Sequence, residues 1–364
     1  MPDKLRVGII GANVTRGWSP RAHLPALLAL PEFELAAVCT AHEETARESA
    51  AKFGAAMAFH DYREMLAQAD VDIVCVSVRV PLHHGPTTDA LEAEKHVYTE
   101  WPLGANLAET EEMAALARDK GVRTLVGLQS RCAPEYLWLK ELIADGYVGD
   151  VLSVRLNQFG SGLLSKTSAR TWQGDNDLGA TTLTISSGHV IDAMCFCLGE
   201  FKEVSAVVET RVKQWPETDT GRTLDVTSPD NVLVSGTLEG GAVVSIHVAS
   251  IPWHGSGFRL DVYGTDGTLA LGAAEHPHLG TNVVRGGKSK DSALAELPIP
   301  ERLTWVPDAV PEGPPFNVAQ MWRRFGEAIR SGDRVEPDFD SAVTRHRLLD
   351  AIQRASDTGE KQSP

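Results

Sequence analysis

The sequence has no long apolar run and no excess of positive charge. Within its 364 residues, no uninterrupted apolar stretch comes near the roughly 20 residues that a membrane-spanning helix needs. Lys and Arg number 34 against 49 Asp and Glu, which gives a formal net charge of −15. Because such a surface repels nucleic-acid phosphates and anionic lipid headgroups, we expect neither a nucleic acid nor a membrane as a partner.

Cysteine is also scarce, and the opening of the chain lacks an export signal. The five cysteines cannot all pair, and MPDKLRVGII has neither the separate apolar stretch nor the cleavage site of a secretory signal. We therefore expect reduced thiols and a cytoplasmic protein. No second Cys or His pair accompanies Cys195 and Cys197 at zinc-ligand spacing, so no metal site is predicted.

What the sequence does contain is the patterning of two globular domains. Its hydrophobic content is 43%, its charged content is 23%, and its length suggests about two domains. In the first third, short apolar runs alternate with helical patterns, which predicts a doubly wound parallel sheet. The apolar runs are residues 5–10, 35–39, 72–78, 96–99 and 123–128. The helical patterns are residues 20–30, 43–53, 61–69, 85–94 and 107–120.

Beyond about residue 150 the pattern changes to strands that alternate apolar and polar residues. Turn signals such as Asp266-Gly267 separate several of them, which predicts antiparallel strands with one face on a core. Residues 274–315 are rich in Gly, Pro and charge and are predicted to form a surface loop, and helices are expected near 316–330 and 340–355. We place the two domains at residues 1–127 and 128–364.

A glycine turn follows the first strand, in the segment VGIIGANVTRGW (7–18). Gly11 occupies the first position of the GxGxxG dinucleotide-binding pattern, Asn13 replaces the second glycine and Arg16 falls at the third. Asn tolerates positive φ, so the turn can survive the replacement. The segment predicts a diphosphate site at a helix N-terminus, with an ordinary strand–helix turn as the alternative.

The second strand ends without the acidic residue that NAD-selective folds use to bind the ribose hydroxyls. Thr40 and His42 stand there instead. Because no carboxylate repels a 2′-phosphate and both residues could donate to one, the sequence favours NADP over NAD.

Several motifs together resemble a known family. They are VGIIGAN, HLPAL (23–27), the segment 71–100 ending in EKHVYTE, and LKELIADGYVGDVLSV (139–154). The chain is similar to the glucose–fructose oxidoreductase/inositol dehydrogenase (Gfo/Idh/MocA) family. The runs GANVTRGW, LQSR and SGHVID further resemble the branch of the fungal galactose-regulon repressor, which binds a dinucleotide but acts through protein contacts.

The resemblance implies an α/β fold. An N-terminal Rossmann domain would carry NAD or NADP, and a C-terminal α+β domain would have an open antiparallel sheet. That sheet often joins subunits in the family, so a homodimer or homotetramer is expected. Members mostly oxidise or reduce sugars, cyclitols and related small molecules.

Two charged positions of the family's catalytic pattern are missing here. Its Glu-Lys-Pro motif reads Glu100-Trp101-Pro102, so the lysine ammonium is gone, although the Trp101 ring could stack on a nicotinamide or simply pack. The family's Asp falls at Ile185, whereas its His is kept as His189. We expect His189 to lie in the first turn of a helix capped by Ser186 or Ser187, with Asp192 orienting it as the acid/base.

Other candidates come from neighbouring positions. His83 aligns with a family histidine near the cofactor, and Trp18 lies on a lengthened turn that could reach over the nicotinamide. Arg131 and Tyr136 follow the fifth apolar run, where we expect a substrate contact and a second acid. Trp172 lies with Lys166, Arg170 and Asp175 on an irregular segment, residues 160–180, that could cover a pocket. Each of these also has a structural or solvent-facing alternative.

Two functions therefore compete. The first is an NAD(P)-dependent oxidoreductase acting on a sugar-like or other small carbonyl or alcohol compound, with His189 and Tyr136 handling protons. The second is a non-catalytic, dinucleotide-binding regulator, which the loss of both charged positions favours. The sequence does not name the substrate.

Overall fold

The structure, a computed structural model, describes residues 3–280 and 282–364. The chain divides into two compact units. The first contains the residues up to Cys132 together with Trp305–Thr344, and the second contains Ala133–Thr304 together with Arg345–Pro364.

The first unit is built on a six-stranded parallel sheet. Its strands are β1 (Leu5–Ile10), β2 (Phe33–Cys39), β3 (Met57–Phe59), β4 (Ile73–Val76), β5 (His96–Thr99) and β6 (Thr124–Val126). The helices between them are α1 (His23–Leu28), α2 (Glu43–Phe53), α3 (Tyr62–Gln68), α4 (His84–Glu92) and α5 (Leu107–Lys120). The strand order β3-β2-β1-β4-β5-β6 confirms the predicted doubly wound sheet, although the sequence patterns missed the short strand β3.

The order of the sheet reverses beside β1. This strand pairs in parallel with β2 on one side and with β4 on the other, so the loops after β1 and β4 leave the same sheet edge next to each other. In open α/β sheets, ligands bind at the carboxyl ends of the strands where the order reverses. The glycine turn after β1 therefore lies at the position where a nucleotide binds in such folds.

The second unit is built on an eight-stranded sheet. Its helices are α6 (Pro134–Ala144) and α7 (Gly188–Leu198). Its sheet strands are β7 (Val151–Gly160), β8 (Phe201–Glu209), β11 (Asn231–Leu238), β12 (Val243–Ser250), β13 (Gly257–Gly264), β14 (Gly267–Ala273), β15 (Val283–Lys288) and β16 (Ala295–Glu296). A separate two-stranded hairpin is formed by β9 (Gln214–Pro216) and β10 (Thr223–Asp225).

The large sheet is mostly but not wholly antiparallel. Its order is β16-β15-β14-β13-β7-β12-β11-β8, and the pair β7 and β12 runs parallel. The sheet is therefore mixed, where the sequence patterns predicted antiparallel strands alone. The segment 274–315 also differs from the predicted surface loop, because β15 adds a paired strand next to β14.

Two long helices follow, α8 (Pro314–Ser331) and α9 (Phe339–Thr358). The buried side of α8, with Val318, Trp322 and Phe325, packs into the core beside β1 and α1. Residues 305–344 thus belong to the first unit, although the sequence patterns predicted a second domain that includes them, residues 128–364. The apolar side of α8 completes the core of the first unit, although it comes from a distant part of the chain. Among the described residues, no helix combines the length and the apolar character needed to cross a membrane.

Candidate functional site

The glycine turn after β1 admits no side chain at its first position. Gly11 has φ +95°, and a Cβ placed on it would lie 2.2 Å from the carbonyl oxygen of Ser77 at the end of β4. Any other residue would be both strained and in collision with backbone. This cradle is the tight glycine turn that dinucleotide-binding folds place against the diphosphate, so the residues present fit such a group.

Asn13 supports the turn through its side chain. Its Oδ1 accepts hydrogen bonds from the backbone N–H groups of Thr15 and Arg16, both at 3.0 Å. Among the described residues other than glycine, positive φ is confined to Glu94 and His254. Asn13 therefore does not adopt the positive φ that its residue type would tolerate, and its amide oxygen orders the turn instead.

The helix after this turn begins later than predicted. α1 starts at His23 and has six residues, so its N-terminus does not directly follow Gly11. Any diphosphate held here would be held by the turn itself. Trp18, within the turn, is half-buried and packs against the core of the first unit, with its indole Nε1 buried and unpartnered among the described residues. Its expected contact with nicotinamide stays a prediction.

Thr40 and His42, the two predicted cofactor contacts at the end of β2, differ in how exposed their side chains are. Thr40 is buried, and its hydroxyl donates to the carbonyl oxygen of His42 at 2.9 Å and lies 2.6 Å from the Thr45 hydroxyl. His42 is exposed at the N-terminus of α2, with no side-chain bond to the helix cap. Of the two predicted cofactor contacts, His42 is thus the one whose side chain is open to a ligand.

A buried relay of hydrogen bonds, missed by sequence reasoning, fixes Glu100. The Trp322 indole N–H donates to His23 Nδ1 at 3.1 Å, and His23 Nε2 lies 2.7 Å from Glu100 Oε1. Because Nδ1 accepts, the ring proton resides on Nε2 and donates to the carboxylate. The position of Gly127 also leaves room for this carboxylate, since a Cβ there would lie 2.6 Å from Glu100 Oε2.

Trp101 directly follows Glu100, and both Trp101 and the more distant His83 are buried. His83 Nδ1 lies 2.9 Å from the carbonyl oxygen of Pro102, and its Nε2 lies 3.1 Å from that of Val78. Burial lowers the pKa of His83. The ring therefore ties the Trp101-Pro102 segment to the loop after β4, which is a positioning role next to the predicted cofactor site.

Arg131 lies on a short 3₁₀ turn, Gln129–Cys132, at the end of the first unit. It is buried, and its guanidinium is 3.6 Å from the carboxylate of Glu336. This contact belongs to the packing of the first unit. The predicted role of Arg131 toward a substrate stays a prediction.

In the second unit, His189 lies inside a continuous helical run and not at its start. A π-helical turn, Thr182–Ser187, leads directly into α7, and Thr181 caps that turn in a reciprocal arrangement with Thr184. Ser187 is helical, and its hydroxyl donates to the carbonyl oxygen of Thr182 at 3.0 Å. Ser187 directly precedes α7, but its hydroxyl makes no cap bond there, because the π-helical turn continues the helical backbone through it.

His189 belongs to a group of three histidines, which we call the histidine cluster: His189, His276 and His278. The rings of His189 and His278 stack at 4.0 Å with an angle of 17°, and His276 lies 5.5 Å from His278. The Nδ1 atom of each ring is buried without a hydrogen-bond partner among the described residues. Burial, with a smaller contribution from His276, lowers the pKa of His189 to about 3.

The cluster is consequently neutral near pH 7. Burial, and not the helix N-terminus expected from the sequence, keeps the His189 imidazole uncharged. His276 and His278 were missed because they lie in the predicted loop, where a His-Pro-His run was the only signal. Within the described residues, no three His, Cys, Asp or Glu side chains are arranged to hold a metal ion.

Asp192, one turn beyond His189, is engaged by a buried arginine. Arg345 Nε donates to Asp192 Oδ1 at 3.2 Å, and its NH2 group donates to Glu200 at 2.8 Å. Asp192 and Arg345 are fully buried. The Asp192 charge still raises the pKa of His189, against the larger effect of burial, but its main partner is Arg345.

Tyr136 and Trp172, the remaining predicted residues, also lie in the second unit. Tyr136 is fully buried in the first turn of α6, and its hydroxyl has no partner among the described residues. Burial raises the pKa of Tyr136 well above its usual value, so the phenol stays protonated. Trp172 is half-buried in a short 3₁₀ helix, Thr171–Gly174. The roles proposed for both stay predictions.

The fold and these groups define a class of protein: a Rossmann-type nucleotide-binding unit joined to a sheet-based unit with a buried, neutral histidine cluster. A model of the oxidoreductase family with an NAD-binding Rossmann fold (GFO_IDH_MocA) matches residues 5–128, and a model of the Gal80p C-terminal domain matches residues 134–273. The first unit therefore contains a nucleotide-binding domain of the Gfo/Idh/MocA oxidoreductase family, and the second unit contains a Gal80p-like domain.

Relatives include both dehydrogenases and regulators. The chain is 29% identical to dehydrogenase aclE of Aspergillus oryzae, over 99% of this chain and 98% of that protein. It is 27% identical to the galactose/lactose metabolism regulatory protein GAL80 of Saccharomyces cerevisiae, over 73% of this chain and 66% of that protein. The structure of levoglucosan dehydrogenase with NADH and L-sorbose superimposes with a TM-score of 0.87 at 24% identity, covering 99% of both chains, which shows the shared fold.

Proposed function

We propose that this protein is an NAD(P)-dependent oxidoreductase that acts on a sugar-like or other small carbonyl or alcohol compound. The observation that carries the proposal is the histidine cluster, whose three buried Nδ1 atoms have no partner among the described residues. Unpaired buried polar atoms are costly, and they concentrate where a ligand completes their hydrogen bonds. The family's nucleotide-binding unit and its Gly11 cradle support the same proposal.

The chemistry divides between the nucleotide and the chain. A bound nicotinamide dinucleotide supplies hydride acceptance or donation. Oxidation of an alcohol also releases the hydroxyl proton, and His189 is the group proposed to receive it. In the free protein His189 is a neutral hydrogen-bonding partner. During the reaction, negative charge develops on the reacting oxygen. This charge raises the affinity of the neighbouring His189 for a proton.

The loss of the family's lysine and aspartate slows this reaction, but the nucleotide-binding turn and the His189 imidazole are still present to support transfer of the hydride and the proton. Trp101 cannot carry a proton, and Ile185 cannot orient an imidazole. General acid–base groups typically contribute about 10²–10⁴-fold, so a retained histidine leaves a measurable reaction. The His278 ring holds His189 by stacking at 4.0 Å, which replaces part of the orientation that the absent carboxylate gives in the family.

A second candidate is a non-catalytic regulator that binds a dinucleotide. Two observations favour it: the replacements at positions 101 and 185, and the match of residues 134–273 to the Gal80p C-terminal domain. This candidate predicts nucleotide binding with no turnover of any compound, together with a protein partner.

The test separates the two. Purified protein is incubated with NADP or NAD and a panel of sugars, cyclitols and ketones while the absorbance of the reduced nicotinamide is followed. We expect turnover that falls at least about 100-fold in His189→Ala, with His247→Ala, a half-buried histidine on β12, as the control. Calorimetry with Gly11→Ala, matched by Gly240→Ala, tests the nucleotide cradle. Nucleotide binding without turnover of any panel compound would favour the regulator.

A further inference from the structure

Lys166 is a half-buried cation that has no acidic partner among the described residues. Its ammonium lies 4.5 Å from the centroid of the Trp215 ring, and no carboxylate of the described residues comes within ion-pair distance of it. Burial lowers the pKa of Lys166 to about 8, with a smaller contribution from Arg170. A cation removed from water and left without a counter-charge is costly, and such groups are often found where a ligand binds.

The backbone around Lys166 is fixed by the hairpin formed by β9 and β10. The Thr218 N–H donates to the Lys166 carbonyl oxygen at 3.0 Å, and Ser168 donates from its N–H to Asp219 at 2.8 Å. The Thr171 hydroxyl donates to Glu217 at 2.7 Å. These bonds engage the two nearby carboxylates of the hairpin, so they hold the segment without supplying a partner for Lys166.

A series of contacts connects this segment to the histidine cluster. Leu163, three residues beyond Gly160, packs against Trp215, whose ring lies under the Lys166 ammonium. His276 in turn lies against β7, because a Cβ at Gly160 would be 3.4 Å from its Nε2. The cations of the segment 160–180 and the histidine cluster thus belong to one continuous region of the second unit.

The floor of this region is polar but uncharged. Gln158 is on the same face of β7 as Gly160, two residues away, and it is 1% exposed. Both polar atoms of its amide are buried without a partner among the described residues, as are the Nδ1 atoms of the histidine cluster. These groups can bind hydroxyl groups, whereas Lys166 and Arg170 add positive charge at one end.

We propose that the compound accepted by this region is a polyhydroxylated carboxylic acid, whose carboxylate Lys166 binds while the Gln158 amide and the histidine cluster bind its hydroxyl groups. This inference rests on the proposed function and narrows its substrate from sugar-like compounds to sugar acids. A carboxylate beside Lys166 supplies the missing counter-charge. It also raises the affinity of the neighbouring imidazoles for a proton, which the transfer to His189 requires.

The test compares acids with neutral compounds of the same size. Binding of D-glucuronate and D-gluconate is measured by calorimetry against D-glucose and D-glucitol, with the full chain and saturating NADP. Trp fluorescence is a second readout, because Trp215 lies under the ammonium. A charged hydrogen bond predicts roughly 10- to 100-fold tighter binding of the acids. Equal or weaker binding of the acids would overturn the proposal.

Variants of Lys166 identify the residue responsible. We expect Lys166→Met to abolish the preference for acids and Lys166→Arg to keep part of it. Lys140→Met is the matched control, since Lys140 also lies over an aromatic ring, 3.7 Å from the Phe196 centroid, but is exposed. An unchanged preference in Lys166→Met, with a thermal midpoint like that of the parent protein, would contradict the role of Lys166.

A third readout is the Lys166 ammonium itself. NMR titration of labelled lysine should show that its pKa rises when glucuronate is bound, an effect that general loss of structure would not produce. The outcomes also separate this inference from the proposed function. Acid-selective binding without turnover supports the carboxylate site and counts against the enzyme, whereas turnover of neutral compounds alone supports the enzyme and overturns the carboxylate site.

Discussion

At the scale of single residues, the glycine turn after β1 and the histidine cluster differ in how readily they could be predicted. Gly11 was predictable from its sequence motif. A positive φ and a close contact with the backbone allow only glycine at this position. His189 was predictable from its motif, but its surroundings were not. His276 and His278 lie in a segment without periodicity, so nothing local showed that they would be buried against it.

The first prediction concerns the choice between NADP and NAD at His42. An aspartate at this exposed position would repel a 2′-phosphate and accept hydrogen bonds from ribose hydroxyls. We expect His42→Asp to raise the Kd for NADP at least about tenfold and to lower that for NAD. Calorimetry with both nucleotides measures this, with exposed His254→Asp as the control. Unchanged affinities would show that His42 does not contact the nucleotide.

At the scale of elements, the helical run that carries His189 is held by a buried ion network. Arg345, in α9, contacts Asp192 in the interior of α7 and Glu200 just beyond its C-terminal end. These ion pairs could not be predicted from the sequence, because only the folded chain brings together residues about 150 positions apart. The π-helical turn was equally unpredictable, because its residues are compatible with an ordinary α-helix.

The second prediction tests this network. Arg345→Met leaves the buried Asp192 carboxylate without its charged partner, so we expect a loss of about 3–5 kcal/mol in the free energy of unfolding. Urea denaturation measures the loss. Arg354→Met is the control, because Arg354 pairs with Asp350 on the half-exposed side of the same helix. There we expect less than about 1 kcal/mol. Equal effects would mean that burial of the pair is unimportant.

The third prediction concerns acid stability. Burial lowers the pKa of His346 from 6.5 to about 4. Between these values the unfolded chain binds a proton that the folded chain does not, so the free energy of unfolding decreases as the pH falls from about 6.5 to 4. The loss is about 1.4 kcal/mol per pH unit for one such group.

Urea denaturation from pH 7 to pH 4.5 checks this, with His346→Gln expected to show a shallower loss than the parent protein. His254→Gln serves for comparison, since His254 is exposed. A pH dependence that is identical in the parent and in His346→Gln would assign the acid sensitivity to other groups, the histidine cluster first.

At the scale of the whole molecule, the large sheet of the second unit leaves apolar side chains on one exposed face. Leu233 on β11 and Val207 on β8 are directly opposite each other and are 47% and 51% exposed. Val243 at 57% and Leu152 at 55% are also exposed. The alternation along the strands was visible in the sequence, and its outward-facing apolar members agree with the expected homodimer or homotetramer, which stays a prediction.

The fourth prediction follows from this face. If it joins subunits, Leu233→Lys places a charge in the contact and should convert the oligomer into a monomer. Size-exclusion chromatography with light scattering measures the mass, and Lys202→Glu on the edge strand β8 is a surface control. Because Leu233 is half-exposed, the free energy of unfolding of the separated chain should change by less than about 0.5 kcal/mol. An unchanged mass would place any subunit contact elsewhere.

The hydrogen bond from Trp322 to His23 joins residues that are 299 positions apart, and the core around it includes Phe325 and Val318. During translation, the ribosome must therefore release nearly the whole chain before the nucleotide-binding unit can close. The second unit's main segment, Ala133–Thr304, emerges earlier than the last pieces of the first. Until α8 is synthesised, the N-terminal sheet lacks the apolar surface that completes its core, so it is exposed to aggregation during synthesis.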